Sequence, residues 1–400
     1  MSEAPSIKDI FAKVAEFTEA QEAIEGGYYP YFLPLDENEG TEVDYQGHRL
    51  IMCGSNNYLG LTTHPKVREA AIEAIRKYGT SNTGSRFLNG TLRLHKELEE
   101  ELADFVGKEA ALVFSTGYQT NLGTIQAMVN REDVVVLDRA DHASIVDGAL
   151  LSQGRILRFK HNDMNDLERV LSRIEPSRGR MVVVDGIYSM DGDIAPLPEM
   201  IAICRRYNAR LMVDDAHSMG VLGPQGNGTA AHFGVTEGVD LIMSTFSKSF
   251  ASLGGFIAGD ADVVQYIQHF GRSMIFSASI PAANAAAARA ALRIMKEEPE
   301  RRERLWTIAR RVKQELTAMG YDTGTSETPI IPIIIGDHMK TIFVWKRLFE
   351  EGVFVNPVLP PAVPPNKSLL RTSYMATHTD EQIDRVLEAY YKVGKETGVI

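Results

Sequence analysis

Short apolar runs alternate with amphipathic stretches along the middle of the chain. Six runs of three to five residues, mostly Val, Ile, Leu, Met and Phe, predict strands at residues 110–114, 134–137, 155–159, 181–185, 211–213 and 241–244. Most are followed by a helical stretch, and this alternation is typical of a mainly parallel sheet with helices on both faces. The pattern therefore predicts an α/β fold, whose chemistry lies in the loops that leave the carboxyl ends of the strands.

Helical periodicity is strongest towards the two ends of the chain. Apolar residues at positions 7, 10, 11, 14 and 17 predict an N-terminal helix, and the pair Gly26-Gly27 ends the pattern. Further helices are predicted over residues 67–78, 92–105, 281–295, 299–319, 339–351 and 379–394, and further strands over residues 49–53, 329–335, 353–355 and 369–372. We therefore expect an N-terminal arm over residues 1–50, a large domain over residues 51–290 and a smaller α+β domain over residues 291–400.

Composition and charge narrow the class of protein. The chain is 44% hydrophobic and 24% charged, which excludes a disordered or coiled-coil protein. Its net charge of −11, with no local basic cluster, argues against a nucleic-acid partner and leaves at most a peripheral contact with membranes. It has two cysteines, no secretory signal and no apolar run near the roughly 20 residues of a membrane helix. We expect a soluble, cytoplasmic protein.

Three predicted strand ends carry polar residues that need a joint explanation. One strand ends at Asp214, a second leads into Lys248 among hydroxyl side chains, and a third leads through Gly117 into a helix. Burial turns a lysine into a nucleophile, a carboxylate pairs with a protonated pyridine nitrogen, and hydroxyls at the start of a helix suit a phosphate. Together these features predict a pyridoxal 5'-phosphate site, with the aldehyde on Lys248, the ring nitrogen on Asp214 and the phosphate on Gly117, Tyr118, Thr245 and Ser247.

Each of these residue types also has a commoner structural role. A lysine near serines is usually a solvated side chain, and two aspartates after a strand usually form a turn or an N-cap. The chain has neither the G-x-G-x-x-G dinucleotide fingerprint nor the G-x-x-x-x-G-K-[ST] phosphate loop. The sequence predicts no metal site. The combination of all three strand ends, in this order, favours the cofactor site over these separate roles.

Four runs of sequence resemble the α-oxoamine synthases. They are HASIVDG (142–148), GIYSMDGDIAPLPEM (186–200), VDDAHSMGVLGPQGNG (213–228) and STFSKSFASLGG (244–255), and the resemblance extends from NNYLGL (56–61) to the C-terminal KETGVI. Members of this family are fold-type I pyridoxal phosphate enzymes that condense an amino acid with an acyl thioester and release carbon dioxide. The resemblance implies a homodimer with active sites at its interface, and amino acid and acyl-CoA or acyl-carrier-protein thioester substrates.

The resemblance also implies roles for individual residues. Four match catalytic positions: Lys248 as the Schiff-base lysine, Asp214 as the ring-nitrogen partner, His217 at the ring hydroxyl and His142 on the ring face. Gly117, Tyr118, Thr245 and Ser247 match the phosphate site, Ser277 matches a phosphate ligand from the other subunit, and Ser189 lies near the ring oxygen. Arg371 matches the arginine that binds the substrate carboxylate, with Arg86 as the alternative, and Asn57 lies near the substrate.

The branch of the family is less sharply indicated. The runs GSRFLNGT (84–91), FSTGYQTN (114–121) and TFSKS (245–249) resemble serine palmitoyltransferases, whereas CGSNNYLGLTTHP (53–65), SMDG (189–192) and the terminal GVI resemble 2-amino-3-ketobutyrate CoA ligase. We expect L-serine and a long-chain acyl-CoA, which give a 3-ketosphinganine-type product in the first step of sphingolipid-type synthesis. Glycine C-acetyltransferase or 8-amino-7-oxononanoate synthase activity is the alternative.

The sequence leaves two other functions as alternatives and does not decide which residues line an acyl channel. An aminotransferase or aldolase would use the same fold, and a non-catalytic partner subunit should lack the lysine that this chain has at position 248. Residues 28–32 and the prolines of residues 357–365 are candidates to line an acyl channel, or else they pack the terminal arm.

Overall fold

The computed structural model describes residues 9–400, so the predicted helix position 7 lies outside the described residues. The strands are β1 Glu37–Asn38, β2 Glu42–Tyr45, β3 His48–Met52, β4 Ala110–Phe114, β5 Val134–Asp138, β6 Arg155–Phe159, β7 Arg180–Asp185, β8 Arg210–Asp214, β9 Leu241–Thr245, β10 Gly255–Gly259, β11 Ile330–Gly336, β12 Val353–Phe354, β13 Asn356–Val358 and β14 Ser368–Ser373. The helices are α1 Ala12–Ala15, α2 Glu19–Glu25, α3 Pro65–Tyr78, α4 Arg93–Val106, α5 Gly117–Met128, α6 Ala143–Ser152, α7 Met164–Leu171, α8 Leu197–Arg206, α9 Thr229–His232, α10 Ala261–Phe270, α11 Arg272–Ile275, α12 Ala282–Glu297, α13 Pro299–Met319, α14 His338–Glu350 and α15 Asp380–Thr397.

A seven-stranded sheet in the order β4-β10-β9-β8-β7-β5-β6 forms the centre of the molecule. Strands β9, β8, β7, β5 and β6 are parallel neighbours, as the alternating pattern predicts. Side chains of β7 alternate between the two faces of the sheet. Val182 and Val184 pack in one apolar cluster, and Met181 and Val183 pack in another. The predicted α/β fold, with a sheet buried on both faces, is confirmed.

Strand β10 was not predicted from the sequence. It lies antiparallel between β4 and β9 and pairs with both along its length. Its sequence, GFIAG, is short and begins and ends with glycine, which weakens any strand signal. Only nine residues connect β9 to β10, and a connection of that length returns the chain antiparallel, because a parallel neighbour needs a longer crossover. Lys248 lies in this connection.

Two smaller sheets complete the chain. Strands β11, β14 and β13 form one, and β1, β2, β3 and β12 form the other. Pro332 is tolerated within β11 because that strand is at the edge of its sheet. Strand β12, from the C-terminal part, pairs in parallel with β3 near the N-terminus. The division into three parts at residues 50 and 290 stays a prediction.

The single N-terminal helix predicted from residue 7 is replaced by the short helices α1 and α2. The apolar side chains at positions 10, 11, 14 and 17 are between 64% and 72% exposed, so they contact no core that would stabilise a longer helix. Among the described residues, no helix combines the length and the apolar composition that crossing a bilayer requires.

Candidate active site

Neighbouring parallel strands bring most of the predicted site residues to one edge of the central sheet. Asp185, Asp214 and Thr245 end β7, β8 and β9, and the register places Asp214 opposite Asp185. A cavity of about 240 Å³ opens at this edge. Nine predicted residues line it: Gly117, Tyr118, His142, Ser189, Asp214, His217, Thr245, Ser247 and Lys248.

Asp214 is held in a fixed orientation at the wall of the cavity. The side chain is almost fully buried, and one carboxylate oxygen accepts a hydrogen bond from the backbone N–H of Ala216 at 2.9 Å. The other accepts from Asn121 Nδ2 at 2.7 Å. The same amide also donates to Ser144 Oγ at 2.8 Å, so Asn121 connects Asp214 to helix α6. Asn121 ends the run FSTGYQTN (114–121), but no role was predicted for it from the sequence.

Lys248 has the electrostatic environment expected of a nucleophilic amine. Burial lowers the pKa of its ammonium group to about 8, against the opposing attraction of the Asp214 and Asp185 carboxylates, and Arg371 lowers it further. A pKa near 8 leaves an appreciable neutral fraction at physiological pH, whereas an ordinary lysine is almost fully charged there.

His142 begins helix α6 and is positioned at both its backbone and its ring. Its backbone N–H donates to Asp185 Oδ2 at 2.8 Å, and its Nδ1 accepts from the backbone N–H of Ser144 at 3.2 Å. Burial lowers the pKa of the imidazole, although Asp214 opposes this effect. Asp185 was likewise not predicted from the sequence, and burial, followed by the charge of Asp214, raises the pKa of its carboxyl well above the usual range.

The phosphate end predicted for the cofactor lies where helix α5 begins. Gly117 is the first residue of that helix, and Thr116 caps it by accepting from the backbone N–H of Gln119. A Cβ atom at Gly117 would lie only 2.7 Å from the Thr245 side chain, so the glycine keeps this part of the cavity open. Thr245 Oγ1 and Ser247 Oγ lie 2.9 Å apart on the opposite wall. Backbone N–H groups and two hydroxyls in this arrangement fit a phosphate dianion.

Arg371 is buried on the central strand of the C-terminal sheet. Its Nε donates to the carbonyl oxygen of Ser189 at 2.7 Å, and one terminal nitrogen donates to Asn56 Oδ1 at 2.9 Å. The residue is only 5% exposed, yet its guanidinium forms no ion pair within residues 9–400. A buried guanidinium without a carboxylate partner is costly unless an anion binds to it.

Neither Arg371 nor the remaining predicted residues are among those that line the cavity. Arg86 pairs with the buried Glu99 at 2.8 Å and donates to the carbonyl of Val113, which makes it a poor alternative to Arg371 as a carboxylate anchor. Asn57 does not reach Arg371, because its amide oxygen accepts from the backbone N–H of Leu61 and its Nδ2 donates to Thr62 Oγ1. The neighbouring Asn56 is the residue that contacts Arg371, and a substrate role for Asn57 stays a prediction.

Ser277 is half-buried and accepts a hydrogen bond from Gln119 Nε2 at 3.0 Å, outside the cavity. Its predicted contact with the phosphate of a second subunit stays a prediction.

The arrangement as a whole fits pyridoxal phosphate. A carboxylate for the ring nitrogen, an activated lysine for the aldehyde and a helix start for the phosphate surround one cavity. The negative Asp214 carboxylate suits the protonated ring nitrogen of the cofactor, and the backbone N–H groups and hydroxyls suit its negative phosphate.

Comparisons with known proteins agree with this site. The sequence profile described as aminotransferase class I and II matches residues 49–389. The chain is 52% identical over 387 residues to a serine palmitoyltransferase of Sphingobacterium spiritivorum, with 97% of each chain covered. It is 42% identical over 381 residues to an 8-amino-7-oxononanoate synthase of Thermoanaerobacter pseudethanolicus, which covers 95% of this chain and 96% of the other. A solved serine palmitoyltransferase from S. paucimobilis, in complex with PLP and myriocin, has a TM-score of 0.95 at 38% identity and covers 98% of this chain and 100% of that one.

Proposed function

This chain belongs to the aminotransferase class I and II family, and from that premise we propose that it is a pyridoxal phosphate-dependent C-acyltransferase that condenses L-serine with an acyl thioester. The predicted family resemblance, fold-type I architecture and cofactor are confirmed. The observation that carries the substrate class is Arg371, a buried guanidinium that pairs with no carboxylate in the described chain and lies close to Lys248. An amino acid offers an amine to a lysine-bound aldehyde and a carboxylate to such an arginine.

Six side chains and one backbone segment hold the cofactor in this proposal. Lys248 Nζ bonds to its aldehyde carbon, Asp214 pairs with the ring nitrogen, His142 covers one ring face and His217 donates to the ring hydroxyl. The phosphate is bound by Thr245, Ser247 and the backbone N–H groups of residues 117–118. When bound, the cofactor supplies an electron sink for the negative charge that develops at the amino acid α-carbon.

Lys248 and Arg371 act on different groups of the amino acid, its Cα–H bond and its carboxylate. Arg371 binds the carboxylate through two parallel hydrogen bonds. This bidentate contact orients the Cα–H bond towards Lys248. Once the amine of the amino acid has replaced Lys248 at the aldehyde carbon, the released Nζ is free to take the Cα proton, which its pKa of about 8 permits near neutral pH. Substitution of either residue should therefore affect proton removal even without the acyl substrate.

His142 is the proposed hydrogen-bond donor to the acyl thioester. Its Nδ1 accepts from the backbone N–H of Ser144, and Ser144 Oγ lies 2.8 Å from the same nitrogen. Because burial lowers the pKa of the imidazole, the ring is neutral and its single N–H is on Nε2. A fixed N–H donor of this kind stabilises the oxyanion that forms when the α-carbon attacks the thioester carbonyl. Collapse of this oxyanion breaks the C–S bond and releases the thiol, and the β-keto acid that is formed then loses carbon dioxide.

The identity of the two substrates can be decided with a matrix of reactions. Serine, glycine and alanine are each combined with acetyl-CoA, pimeloyl-CoA, palmitoyl-CoA and palmitoyl-acyl carrier protein, and the free thiol is measured, with Lys248→Ala as the inactive control. We expect serine with palmitoyl-CoA to react fastest and to give a 3-ketosphinganine-type product. Alanine with pimeloyl-CoA as the preferred pair would instead assign 8-amino-7-oxononanoate synthase activity, the function of a relative that is 42% identical. Glycine with acetyl-CoA would assign a C-acetyltransferase.

We further propose that the enzyme is a cytoplasmic homodimer that catalyses the first step of sphingolipid-type synthesis. Each subunit would supply Ser277 to the phosphate site of the other. Support for the interface comes from exposed apolar side chains close to Ser277, namely Phe276, Phe87 and Leu88, which are 72%, 53% and 77% exposed. The backbone bridge between Ser85 and Ala278 brings their two loops together.

A further inference from the structure

The hydroxyl of Tyr58 lies between His217, which is assigned to the cofactor, and Asn56, which contacts the proposed substrate anchor Arg371. Its hydroxyl is 2.7 Å from His217 Nδ1 and 3.4 Å from Asn56 Oδ1, and Asn56 Oδ1 also accepts a hydrogen bond from Arg371. The side chain is 1% exposed, and its ring meets the His217 ring edge-on at 6.1 Å. We propose that Tyr58 is a positioning residue, whose hydroxyl proton directs the N–H of His217 into the cavity and whose hydroxyl oxygen lies beside the Arg371 guanidinium and helps to orient it. The inference rests on the proposed function, because it assigns His217 to the cofactor and Arg371 to the substrate.

The first part of the argument concerns the proton on His217. Burial, with the charges of Lys248, Arg371 and His142, lowers the pKa of this imidazole well below its ordinary value, so the ring is neutral and carries one N–H. If Tyr58 donates to Nδ1, that N–H is on Nε2. The opposite tautomer would make the phenol donate to Asn56 Oδ1 instead, at the longer distance of 3.4 Å and to an oxygen that already accepts from Arg371. The shorter contact therefore favours the tautomer with its N–H on Nε2.

The phenol is suited to remain a donor. Burial raises the pKa of Tyr58, although the nearby Arg371 partly offsets this effect, so the hydroxyl keeps its proton over the working pH range. Its single proton goes to His217, so it does not also donate to Asn56 Oδ1, and its oxygen keeps lone pairs beside the positive charge of Arg371.

The second part concerns the rigidity of the turn that carries Tyr58. The backbone N–H of Ala376, just after β14, donates to the carbonyl of Tyr58 at 2.7 Å. Asn57 closes the same turn, since its Oδ1 accepts from the backbone N–H of Leu61 at 3.0 Å. The turn is thus fixed to the strand that carries Arg371, and Tyr58 connects that strand to His217 at the central sheet.

Tyr58→Phe tests this role, because it removes one oxygen and keeps the ring packing. The matched control is Tyr390→Phe on helix α15, which removes an equally buried hydroxyl that has no hydrogen-bond partner in the described structure. Three quantities are measured besides turnover: the cofactor dissociation constant of the apoprotein, the pH midpoint of the visible band of bound cofactor, and the serine dissociation constant from the spectral change.

We expect Tyr58→Phe to bind cofactor and to shift the pH midpoint by about half a unit or more. We also expect the serine dissociation constant to rise about two- to tenfold, the range for one lost hydrogen bond. The KM for acyl-CoA should change by less than about twofold, and Tyr390→Phe should match the parent in every measurement. An unchanged pH midpoint together with unchanged serine binding would overturn the proposal.

A second variant covers the case in which Tyr58→Phe does not fold. Asn56→Ala removes the oxygen that accepts from Arg371 and leaves the 2.7 Å contact between Tyr58 and His217 in place, so serine binding should weaken while the pH midpoint stays at the parent value. A change in the pH midpoint alone would contradict the proposed connection to Arg371. Failure of the proposed function is recognised separately, since the parent enzyme would then release no thiol with serine, whereas these binding and spectral readouts do not need the acyl substrate.

Discussion

Two histidines that line the cavity, His142 and His217, each have a hydrogen-bonding partner at Nδ1. Ser144 Oγ lies 2.8 Å from Nδ1 of His142, and Tyr58 OH lies 2.7 Å from Nδ1 of His217. Burial lowers the pKa of both rings. In the proposed mechanism each histidine is consequently a neutral donor through Nε2, and Lys248, with a pKa of about 8, moves protons near neutral pH.

Replacement of Asp214 by Asn tests the electron sink. The amide keeps the size of the carboxylate and one of its two accepted hydrogen bonds, so cofactor should still bind, as its visible absorbance will report. An amide cannot stabilise a protonated pyridine nitrogen, and thiol release should fall by about 100-fold or more. Turnover close to the parent rate would mean that a different residue faces the ring nitrogen.

Arg371→Lys tests the carboxylate anchor. A lysine cannot reproduce two parallel hydrogen bonds, so kcat/KM for serine should fall about tenfold or more, with the cofactor spectrum unchanged. Exchange of the serine Cα hydrogen with solvent, followed by NMR, should slow as well.

Arg86→Lys provides the contrast for this experiment. Arg86 is bonded to Glu99 and to the Val113 carbonyl in the core, so its replacement should lower the melting temperature and leave the KM for serine near the parent value. The opposite result, with Arg86 controlling serine binding, would exchange the roles of the two arginines.

At the scale of elements, one loop between β6 and α7 connects the central sheet to the loop that carries Ser189. His161 Nδ1 lies 2.9 Å from Asp138 Oδ1 at the end of β5, and its Nε2 lies 2.7 Å from Asp193 Oδ2. Ser189 lies in the loop with Asp193, and its carbonyl accepts from Arg371. Burial of His161 lowers its pKa, but the hydrogen bonds to the two carboxylates outweigh this effect and raise the pKa to about 10.

The charge of His161 should appear as a pH-dependent stability. Its pKa is about 10 in the folded protein and about 6.5 in an unfolded chain, so the stabilisation is complete below about pH 6.5 and is lost as the pH rises to about 10. His161→Gln should therefore lower the free energy of unfolding by about 2 kcal/mol at pH 6. In urea denaturation of the apoprotein, the difference from the parent should narrow towards pH 10. A difference independent of pH would mean that His161 is neutral.

At the scale of the whole molecule, an exposed apolar surface surrounds Ser277, the residue proposed to bind the phosphate in the other subunit. Phe276, Phe87 and Leu88 are all more than half exposed and lie on loops that the Ser85–Ala278 bridge brings together. Contiguous exposed apolar side chains of this kind mark interaction surfaces. In a homodimer they would be buried beside Ser277.

Sedimentation of the enzyme should accordingly give twice the chain mass of 44.3 kDa at assay concentration. Phe276→Glu should weaken the dimer, because it places a charge in the apolar contact, and cofactor occupancy should fall with it. A variant at the exposed Phe343 of α14, outside this surface, is the control and should remain dimeric. A fully active monomer would contradict the shared site.

The local pattern of the sequence determined the repeating strands and helices and three strand ends of the site. Apolar runs such as residues 134–137 and 181–185 can be satisfied only in a buried sheet, and parallel strands necessarily bring their carboxyl ends to one edge. Asp214 and Lys248 were therefore predictable as neighbours, with His142 added by the family resemblance. Their individual catalytic roles stay predictions.

Only the tertiary structure decided which residues support these groups. Tyr58 and His217 are 159 positions apart, Asn121 and Asp214 are 93 apart, and Asn56 and Arg371 are 315 apart. A hydrogen bond over such a separation leaves no periodic signal in either segment, because it depends on how the sheets pack against one another. For the same reason the sequence did not show that Asn56, and not the adjacent Asn57, contacts Arg371: adjacent identical residues differ only in the direction that the folded turn gives them.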